Sequence, residues 1–315
     1  VGEPTFTLRM QTAVVGLIEE SGQVRGVRYR DTEGVEHDLR ADLVLACDGR
    51  DSTAREAAGL RQRMEDVPMD MWFVRIPKPV DDTGGEFLAR FTNNNSAVAI
   101  DRGDYYQTGY IIEKGSDATL RATHEVQWLR DRVSELFCWS AETMAAIGSW
   151  DDVKLLEVTV GMLDRWHVPG LLCLGDAAHT MSPVGGVGVN LAIQDAVAAA
   201  RILAKPLLEK SVQRADLEKV QRRRRLPASF TQRSQRGEHD MLIAPALRGT
   251  LHTAPLLLRV VDAVPALAGL TAYLGGIGLR PERAPEFARR PQTGPAPNRP
   301  DAPADGQLFE TRANG

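Results

Sequence analysis

Two short segments of the chain place acidic, basic and glycine residues directly after apolar runs. The first is Asp48–Arg55, which follows the run Ala41–Cys47. The second begins at Gly175 and Asp176, directly after the run Gly170–Leu174. Short apolar runs rich in branched residues predict strands that are buried on both faces, as in a parallel sheet. Because open α/β sheets bind ligands at the carboxyl edge of their strands, both segments are candidate binding loops.

The second segment carries the clearer binding chemistry. Asp176 ends a predicted strand, and its carboxylate can accept hydrogen bonds from ligand hydroxyls. Three glycines that follow, Gly185, Gly186 and Gly188, let the backbone approach a flat or anionic ligand closely. A helix is predicted over Val189–Ala204, and the free N–H groups at its start stabilise negative charge. The pattern therefore predicts a ligand that has hydroxyls and a group that becomes anionic.

Other interpretations of these residues compete. Gly-Gly-Val-Gly alone also predicts a simple tight turn, and no Gly-Lys-Ser/Thr follows it as in a Walker phosphate loop. His179 is interpreted as a loop or packing residue rather than a catalyst. The sequence has no Gly-x-Ser-x-Gly motif, no His-Glu-x-x-His motif and no paired cysteines. Hydrolase and zinc-enzyme mechanisms therefore lack support, and we expect neither a metal site nor a catalytic triad.

Apolar periodicity predicts the elements that position these loops. A hairpin is predicted over Thr12–Ile18 and Val24–Tyr29, with Gly22 at positive φ in its turn. Thr53 and Glu56 predict a capping box at the start of a short helix. The further strands are predicted at Ala41–Cys47, Met71–Ile76, Ala97–Ile100, Tyr105–Ile112, Leu155–Val160 and Gly170–Gly175, and the further helices at Ser52–Ala58, Thr119–Trp139, Ala215–Leu226 and, interrupted by prolines, Leu242–Tyr273.

Composition limits the class of protein. The 315 residues include 38 basic and 42 acidic side chains, a net charge of −4, with 43% hydrophobic residues. These values exclude a fibrous or wholly disordered chain and argue against a nucleic-acid partner. Arg222–Arg225 is therefore interpreted as a solvated helix face. Cys47, Cys138 and Cys173 form no C-x-x-C pair, and no charged start precedes an apolar run, so we expect a cytoplasmic location.

The two binding segments together resemble a known family. An Asp-Gly motif after one buried strand, then Gly-Asp-Ala-Ala-His…Pro…Gly-x-Gly-x-Asn…Asp after another, is similar to the FAD-dependent aromatic hydroxylases. These include para-hydroxybenzoate hydroxylase and the ubiquinone-biosynthesis hydroxylases. The resemblance covers roughly residues 5–280 in order, and Cys47 stands where the family usually has alanine. The second motif is long and specific, and the first is moderately specific.

The resemblance implies an α/β fold of mixed α+β character. It comprises a Rossmann-like FAD-binding domain, truncated at its N-terminus, with an inserted mixed or antiparallel β-sheet substrate domain and C-terminal helices. The expected boundaries are 1–66 for the first part of the FAD-binding domain, 67–160 for the substrate domain, 161–204 for the continued FAD-binding domain, 205–280 for the C-terminal helices and 281–315 for a disordered tail.

The resemblance also implies roles for the motif residues. Asp176 would bind the ribityl hydroxyls of FAD, and Pro183 with the stretch Gly185–Asn190 would run along the isoalloxazine ring. The Asp-Gly motif is linked in the family to both FAD and NAD(P)H. The cofactor-binding residues expected on this basis are Asp48, Gly49, Arg55, Gly175, Asp176, Pro183, Gly185, Gly186, Val187, Gly188, Val189 and Asn190.

The implied activity is that of a monooxygenase. NADH or NADPH would reduce FAD, O₂ would add at the flavin C4a to give a hydroperoxide, and one oxygen would pass to a small aromatic-type substrate. The cofactor supplies this chemistry, so no catalytic side chain is expected. The substrate sheet offers Trp72, Arg75, Tyr105, Tyr106 and Tyr110 as candidate contacts, but each is interpreted as an ordinary sheet residue.

The chain departs from the family pattern in one respect. Family members open with a strand, a Gly-x-Gly-x-x-Gly turn and a helix that grip the ADP half of FAD, and the sequence contains no such unit. We therefore expect that this N-terminal unit is absent from the chain. The alternative hypothesis is a truncated or decayed flavoprotein fragment without independent activity. For the apolar run Pro255–Leu279, helix packing is favoured over membrane contact.

Overall fold

Strands and helices are interspersed along the chain in the expected mixed α/β order. The computed structural model describes residues 5–79, 85, 87–251 and 264–284. The strands are β1 Ala13–Glu20, β2 Gln23–Arg30, β3 Glu36–Arg40, β4 Val44–Ala46, β5 Gln62–Glu65, β6 Met69–Pro77, β7 Phe87–Thr92, β8 Asn95–Asp101, β9 Tyr105–Glu113, β10 Lys154–Leu156, β11 Val160–Leu163, β12 His167–Val168, β13 Leu171–Cys173 and β14 His179–Thr180. The helices are α1 Thr53–Ala57, α2 Asp117–Thr123, α3 Val126–Phe137, α4 Ala141–Met144, α5 Gly188–Leu208, α6 Arg214–Glu238, α7 Ala244–Leu247 and α8 Pro265–Gly276.

The predicted hairpin is confirmed as the first two strands of an antiparallel meander, β1-β2-β3. Glu20 pairs with Gln23, so Ser21 and Gly22 form a two-residue turn. Both turn residues have positive φ, 51° for Ser21 and 75° for Gly22. This geometry matches the right-handed twist of the flanking strands, which is why a glycine is favoured there.

The two strands that precede the binding loops lie side by side. β4 and β13 pair in parallel, with Leu171 opposite Val44 and Cys173 opposite Ala46, and β12 flanks β13. The three residues of β13 are fully buried, as predicted. Leu45 in β4, however, is 42% exposed among the described residues. The prediction of burial on both faces is therefore wrong for β4, because one face of this strand is left open in the part of the chain that the structure describes.

The predicted substrate region forms a five-stranded sheet with the order β10-β6-β9-β8-β7 and antiparallel pairing throughout. One face packs against α3 through Trp72, Tyr106 and Tyr110, which are at most 2% exposed. These three aromatics were interpreted as ordinary sheet residues, and the structure places them in the core of this sheet. Because side chains alternate along a strand, Phe73 and Arg75 point to the other face.

A third sheet, β14-β11-β5, joins the two binding loops to the C-terminal helices. Gln232 of α6 donates from its side chain to the carbonyls of Gly161 (2.8 Å) and Thr180 (3.0 Å). The main core lies where α5 and α6 pack over β13, and it includes Leu172, Ala199 and Val220. α6 thereby anchors two of the three strands.

Two predicted elements are interrupted, each by a specific contact. The helix over Thr119–Trp139 is wrong as a single element: α2 ends and α3 begins around His124, which is extended and whose carbonyl accepts a bond from Trp150 Nε1 (3.0 Å). The strand over Leu155–Val160 is also wrong, because β10 and β11 are separate. The N–H of Val158 donates to Asp70 Oδ1 (2.9 Å) and not to a neighbouring strand.

The capping box predicted from Thr53 and Glu56 is wrong by one residue. Ser52 is the N-cap of α1, and its hydroxyl accepts the N–H of Arg55 (3.0 Å). No capping box forms here, and Asp48 instead supplies a second acceptor at the start of α1, since its Oδ2 accepts the N–H of Ala54 (3.0 Å).

The C-terminal helices extend beyond their predicted ends. α6 runs twelve residues past Leu226 to Glu238 and continues into a π-helical turn, His239–Ile243. Part of the run Pro255–Leu279 lies outside the described residues, and so does the predicted tail from residue 285. Within the tail, the carboxylate of Glu282 is held by Arg201 (2.8 Å) and Arg223 (2.5 Å). Among the described residues, one helical stretch, Val184–Leu208, is long and apolar enough to cross a membrane by length and composition alone.

Candidate functional site

The two binding loops lie together at the carboxyl ends of β4 and β13. The N–H of Leu174 donates to the carbonyl of Ala46 (2.9 Å), so β4 and β13 end at the same level of the sheet. Asp48 then leads into α1, and Gly175–Ala177 forms a 3₁₀ turn. The parallel pairing thus brings two motifs together that are far apart in sequence, as expected from the rule for open α/β sheets.

Asp48 holds the shape of the first loop. Its Oδ1 accepts the Ser52 hydroxyl (2.6 Å) and its Oδ2 accepts the N–H of Ala54 (3.0 Å). Gly49 has a φ of 86°, a conformation that glycine adopts without strain. Both Asp48 oxygens are therefore engaged within the chain, and the cofactor-binding role expected for Asp48 and Gly49 stays a prediction.

Arg50 joins the two loops, and sequence reasoning did not select it. Its guanidinium donates to Asp176 Oδ2 (3.3 Å), to the carbonyl of Met181 (3.1 Å) and to the carbonyl of Glu157 (3.2 Å). Arg55, which was selected, donates to the carbonyls of Arg50 (2.6 Å) and, at 3.4 Å, Ala177. The signal available in the sequence was a second arginine inside the Asp-Gly motif.

Asp176 keeps an acceptor for a ligand. One carboxylate oxygen bonds Arg50, while Oδ1 has no partner among the described residues, and the side chain is 30% exposed. Its backbone carbonyl accepts Gln62 Nε2 (3.1 Å), a contact that sequence reasoning also missed. Together, Arg50 and Gln62 fix the carboxylate on the loop surface.

The glycine loop leaves open space at its surface. Gly185 and Gly186 have φ values of 77° and 64°. A Cβ at Gly186 would meet nothing within 4 Å, whereas a Cβ at Gly175 would lie 2.9 Å from Ala192 Cβ. Gly186 is therefore open to a ligand, and Gly175 instead allows α5 to pack close to the loop. Pro183 directly precedes the 3₁₀ turn at 184–186.

The N-terminus of α5 is not capped by a side chain. Val187 is its N-cap, and the first backbone hydrogen bond across the cap runs from Leu191 N to Val187 O (3.1 Å). The N–H groups of Gly188, Val189 and Asn190 have no acceptor among the described residues. Four orphan donors are normal for a helix start, and they favour an anion beside them.

The side chains at this helix start point away from the loop. Val189 is 69% exposed, and Asn190 Nδ2 donates to the carbonyl of Gly276 (2.9 Å) at the end of α8. In the described structure, therefore, the backbone N–H groups of these residues are open while the Asn190 side chain holds the C-terminal helix.

A buried ionic cluster supports the second loop from behind. Asp195 on α5 accepts His179 Nε2 (2.6 Å), Arg224 Nε (2.8 Å) and the N–H of Gly175 (3.2 Å), and all three side chains are at most 1% exposed. Burial by itself raises the pKa of Asp195, but His179 and Arg224 outweigh this effect and hold that pKa below its ordinary value.

This cluster decides two sequence interpretations. His179 is a packing residue, as expected. Arg224 lies in the core and not on a solvated helix face, so that interpretation is wrong for it, although Arg222 remains 68% exposed. The sequence of a polar helix does not indicate which of its arginines is buried, unless the buried partner, here Asp195, is recognised first.

The second face of the five-stranded sheet lies on the same side as the glycine loop. Met71 and Ile111 pack there, with Phe73, Phe91 and Val98 partly buried, and Val184 of the loop packs against the same cluster. This face is apolar near Val184. Arg75, at its rim, stacks on Tyr105 at 5.3 Å from the ring centroid.

The residues present fit FAD. Asp176 offers an unpaired carboxylate oxygen for ribityl hydroxyls, the backbone at Gly186 is open to a flat ring, and the α5 N–H groups lie beside it. A cleft of about 550 Å³ adjoins the first loop and is lined by Arg50, Arg55 and Gln62 among others, whereas neither Asp176 nor the glycine loop lines it. Its volume lies within the range of small-molecule sites, about 300–1,000 Å³.

Comparison with known proteins gives the family. The family model described as "FAD binding domain" matches residues 2–234. Among curated relatives, 6-methylpretetramide 4-monooxygenase of Streptomyces rimosus is 34% identical over 268 residues, which cover 84% of this chain and 62% of that protein. Kynurenine 3-monooxygenase of Stenotrophomonas maltophilia is 28% identical over 201 residues, covering 58% of this chain and 42% of that protein. The chain thus spans less than two thirds of the length of these relatives.

Solved structures share the fold. OxyS anhydrotetracycline hydroxylase from Streptomyces rimosus superposes with a TM-score of 0.63 at 21% identity, over 90% of this chain and 55% of that one. CabE, an aromatic hydroxylase from angucycline biosynthesis, gives a TM-score of 0.60 at 19% identity, over 86% and 53% of the two chains.

Proposed function

Because the chain belongs to the FAD-binding-domain family, we propose that it is the greater part of a cytoplasmic FAD-dependent monooxygenase that oxygenates a small aromatic substrate. The co-substrates of this reaction are O₂ and NADH or NADPH. The chain corresponds to 62% of the length of the monooxygenase to which it is 34% identical. The activity is therefore proposed for the whole protein.

One observation carries the proposal. The unpaired Oδ1 of Asp176, the open backbone at Gly186 and the uncapped start of α5 lie on one continuous loop. A ribityl chain needs the first, a planar ring needs the second, and a ring that gains negative charge needs the third. A P-loop nucleotide hydrolase also combines a glycine loop with a helix start, but it needs a Gly-Lys-Ser/Thr motif that does not follow this loop.

FAD, when bound, supplies the redox chemistry and the activation of O₂. The residues of the chain bind it and place it. Asp176 accepts a hydroxyl of the ribityl chain, held in place by Arg50 on its other oxygen. The N–H groups of Gly188, Val189 and Asn190 would donate to a ring that gains negative charge, which would favour its reduced form electrostatically.

The second face of the five-stranded sheet receives the substrate. Phe73, Phe91 and Val98 form an apolar surface next to Val184 of the glycine loop. Aromatic side chains favour stacking of a flat ring, and an apolar wall excludes water from the reacting centre. We therefore propose an aromatic substrate with extended apolar rings, and Arg75 at the rim is placed to bind an oxygen substituent.

Visible absorption tests the cofactor assignment. We expect flavin bands near roughly 375 and 450 nm, which are properties of the cofactor itself, in the purified product of the complete reading frame. The Asp176→Ala variant should retain at least about tenfold less FAD, since hydrogen bonds to a charged group are worth about 1.5–3 kcal/mol. Asp164→Ala, at a carboxylate 78% exposed on another loop, is the matched control.

The outcomes separate clearly. Flavin bands absent from the complete protein would overturn the proposed function. Bands present in wild type and equally in Asp176→Ala would leave a flavoprotein but remove Asp176 from its binding site. A spectrum of the 315-residue chain recorded beside these determines whether these residues alone retain the cofactor.

A further inference from the structure

A second cleft lies on the opposite side of the third sheet from the candidate cofactor site. It has a volume of about 460 Å³ and lies between β5, β11 and α6. Side chains alternate along β5: Gln62 faces Asp176, whereas Arg63 and Glu65 line the second cleft. The cleft is therefore separate from the loops that are expected to hold FAD. We refer to it as the arginine cleft.

The charges in the arginine cleft do not cancel. Four arginines line it against two carboxylates. Arg236 pairs with Glu65, and Arg225 lies 3.7 Å from Asp164. Arg63 and Arg233 have no carboxylate partner among the described residues. Two free guanidinium groups in one concave site attract a group with two negative charges.

The floor of the cleft is apolar. Met162, Leu226, Phe230 and Leu279 line it, and Phe230 is 38% exposed, so part of its ring is free to stack. The cleft is also preformed, because Gln232 binds two carbonyls of the sheet and fixes α6 against it. A rigid site with a cationic rim and an aromatic floor suits a flat ring that carries an anion.

We propose that the arginine cleft binds the phosphate monoester of a purine nucleoside. The dianionic phosphate lies between Arg63 and Arg233, and the purine stacks on Phe230. A phosphate monoester suits two free guanidinium groups, whereas a carboxylate satisfies only one bidentate fork. The source is either a free nucleotide or the 2′-phosphorylated adenosine half of NADPH. The second source rests on the proposed function, and the first does not.

Calorimetric titration of the purified product of the complete reading frame with adenosine 2′,5′-bisphosphate tests the site. We expect saturable binding of one molecule per chain. Arg63→Gln and Arg233→Gln should each weaken it about tenfold or more, since each removes charge-assisted hydrogen bonds. Arg222→Gln, an equal change of charge at an exposed position of α6 outside the cleft, should leave the affinity unchanged.

Further titrations separate the parts of the proposal. Phe230→Ala should weaken the bisphosphate but not inorganic phosphate, and adenosine alone should not saturate the chain. If NADP⁺ displaces the bisphosphate and NAD⁺ does not, the ligand of the cleft is the phosphorylated adenosine half of the dinucleotide. If neither displaces the bisphosphate, the ligand is a free nucleotide. The proposal would be overturned if the probe does not saturate the protein below about 1 mM, or if Arg222→Gln weakens binding as much as Arg63→Gln and Arg233→Gln do. Neither result depends on the flavin spectrum, which tests the proposed function separately.

Discussion

The buried carboxylate of Asp195 should be the most sensitive single position for stability in the described structure. Asp195→Ala removes three hydrogen bonds, from His179 (2.6 Å), Arg224 (2.8 Å) and the N–H of Gly175 (3.2 Å). It also leaves the Arg224 guanidinium, which is 0% exposed, without its nearest counter-charge. The only other carboxylate near Arg224 in the described residues is Glu282, at 3.8 Å.

The magnitude follows from this burial. Removing one partner of a buried ion pair costs about 3–5 kcal/mol, because the remaining charge stays desolvated. Folded proteins are stable by only about 5–15 kcal/mol, so the variant should lose a large part of its free energy of unfolding. By contrast, Glu218→Ala, which breaks an exposed pair with Arg214 on α6, should cost less than about 1 kcal/mol.

Urea unfolding followed by circular dichroism measures both variants. A second substitution tests the reason for the loss: Arg224→Met in the Asp195→Ala background should restore part of the stability, because it removes the unpaired charge. The reasoning is refuted if Asp195→Ala lies within about 1 kcal/mol of wild type. It is equally refuted if Asp195→Ala/Arg224→Met is less stable than Asp195→Ala alone.

Two further predictions concern backbone and pH. Gly170→Ala should destabilise the fold strongly, since a Cβ at this position, where φ is 78°, would lie 2.0 Å from the carbonyl oxygen of Val24. Gly34→Ala is the control: its φ is 82°, but nothing lies within 4 Å of the added Cβ, so it should cost only about 1 kcal/mol. Equal unfolding midpoints for the two variants would contradict this prediction. Burial raises the pKa of Asp70, but the N–H of Gly115, Lys114 and other donors outweigh this effect, so the folded pKa lies below the unfolded value. The stability that the Asp70 carboxylate contributes is therefore present near neutral pH and is lost as the pH falls below about 5. Wild type should lose free energy of unfolding over this range more steeply than Asp70→Asn. Parallel pH profiles of the two proteins would contradict the lowered pKa of Asp70.

Much of the candidate site could be predicted from sequence because its signals are local. The strand before Gly175, the glycines that follow and the helix start are contiguous, and each depends on backbone conformation that nearby residues dictate. The hairpin turn at Gly22 is another local case. Elements of this kind appear in the structure close to their predicted places.

The missed features depend on residues that are distant in sequence. Arg50 reaches the carbonyls of Glu157 and Met181, and the break between β10 and β11 arises because Asp70 captures the N–H of Val158. No pattern around residue 158 reports the position of residue 70, so the periodicity predicted one continuous strand.

Sequence alone therefore determined the two candidate loops, the family resemblance and the mixed α/β class, since local patterns encode strands, glycine turns and helix starts. Tertiary structure alone decided which polar groups are buried. Arg224 and Arg222 are chemically identical neighbours on α6, yet one is fully buried beside Asp195 and the other is 68% exposed. The physical reason is that burial and partner choice depend on which helix face packs against α5, and that choice is made by the core as a whole.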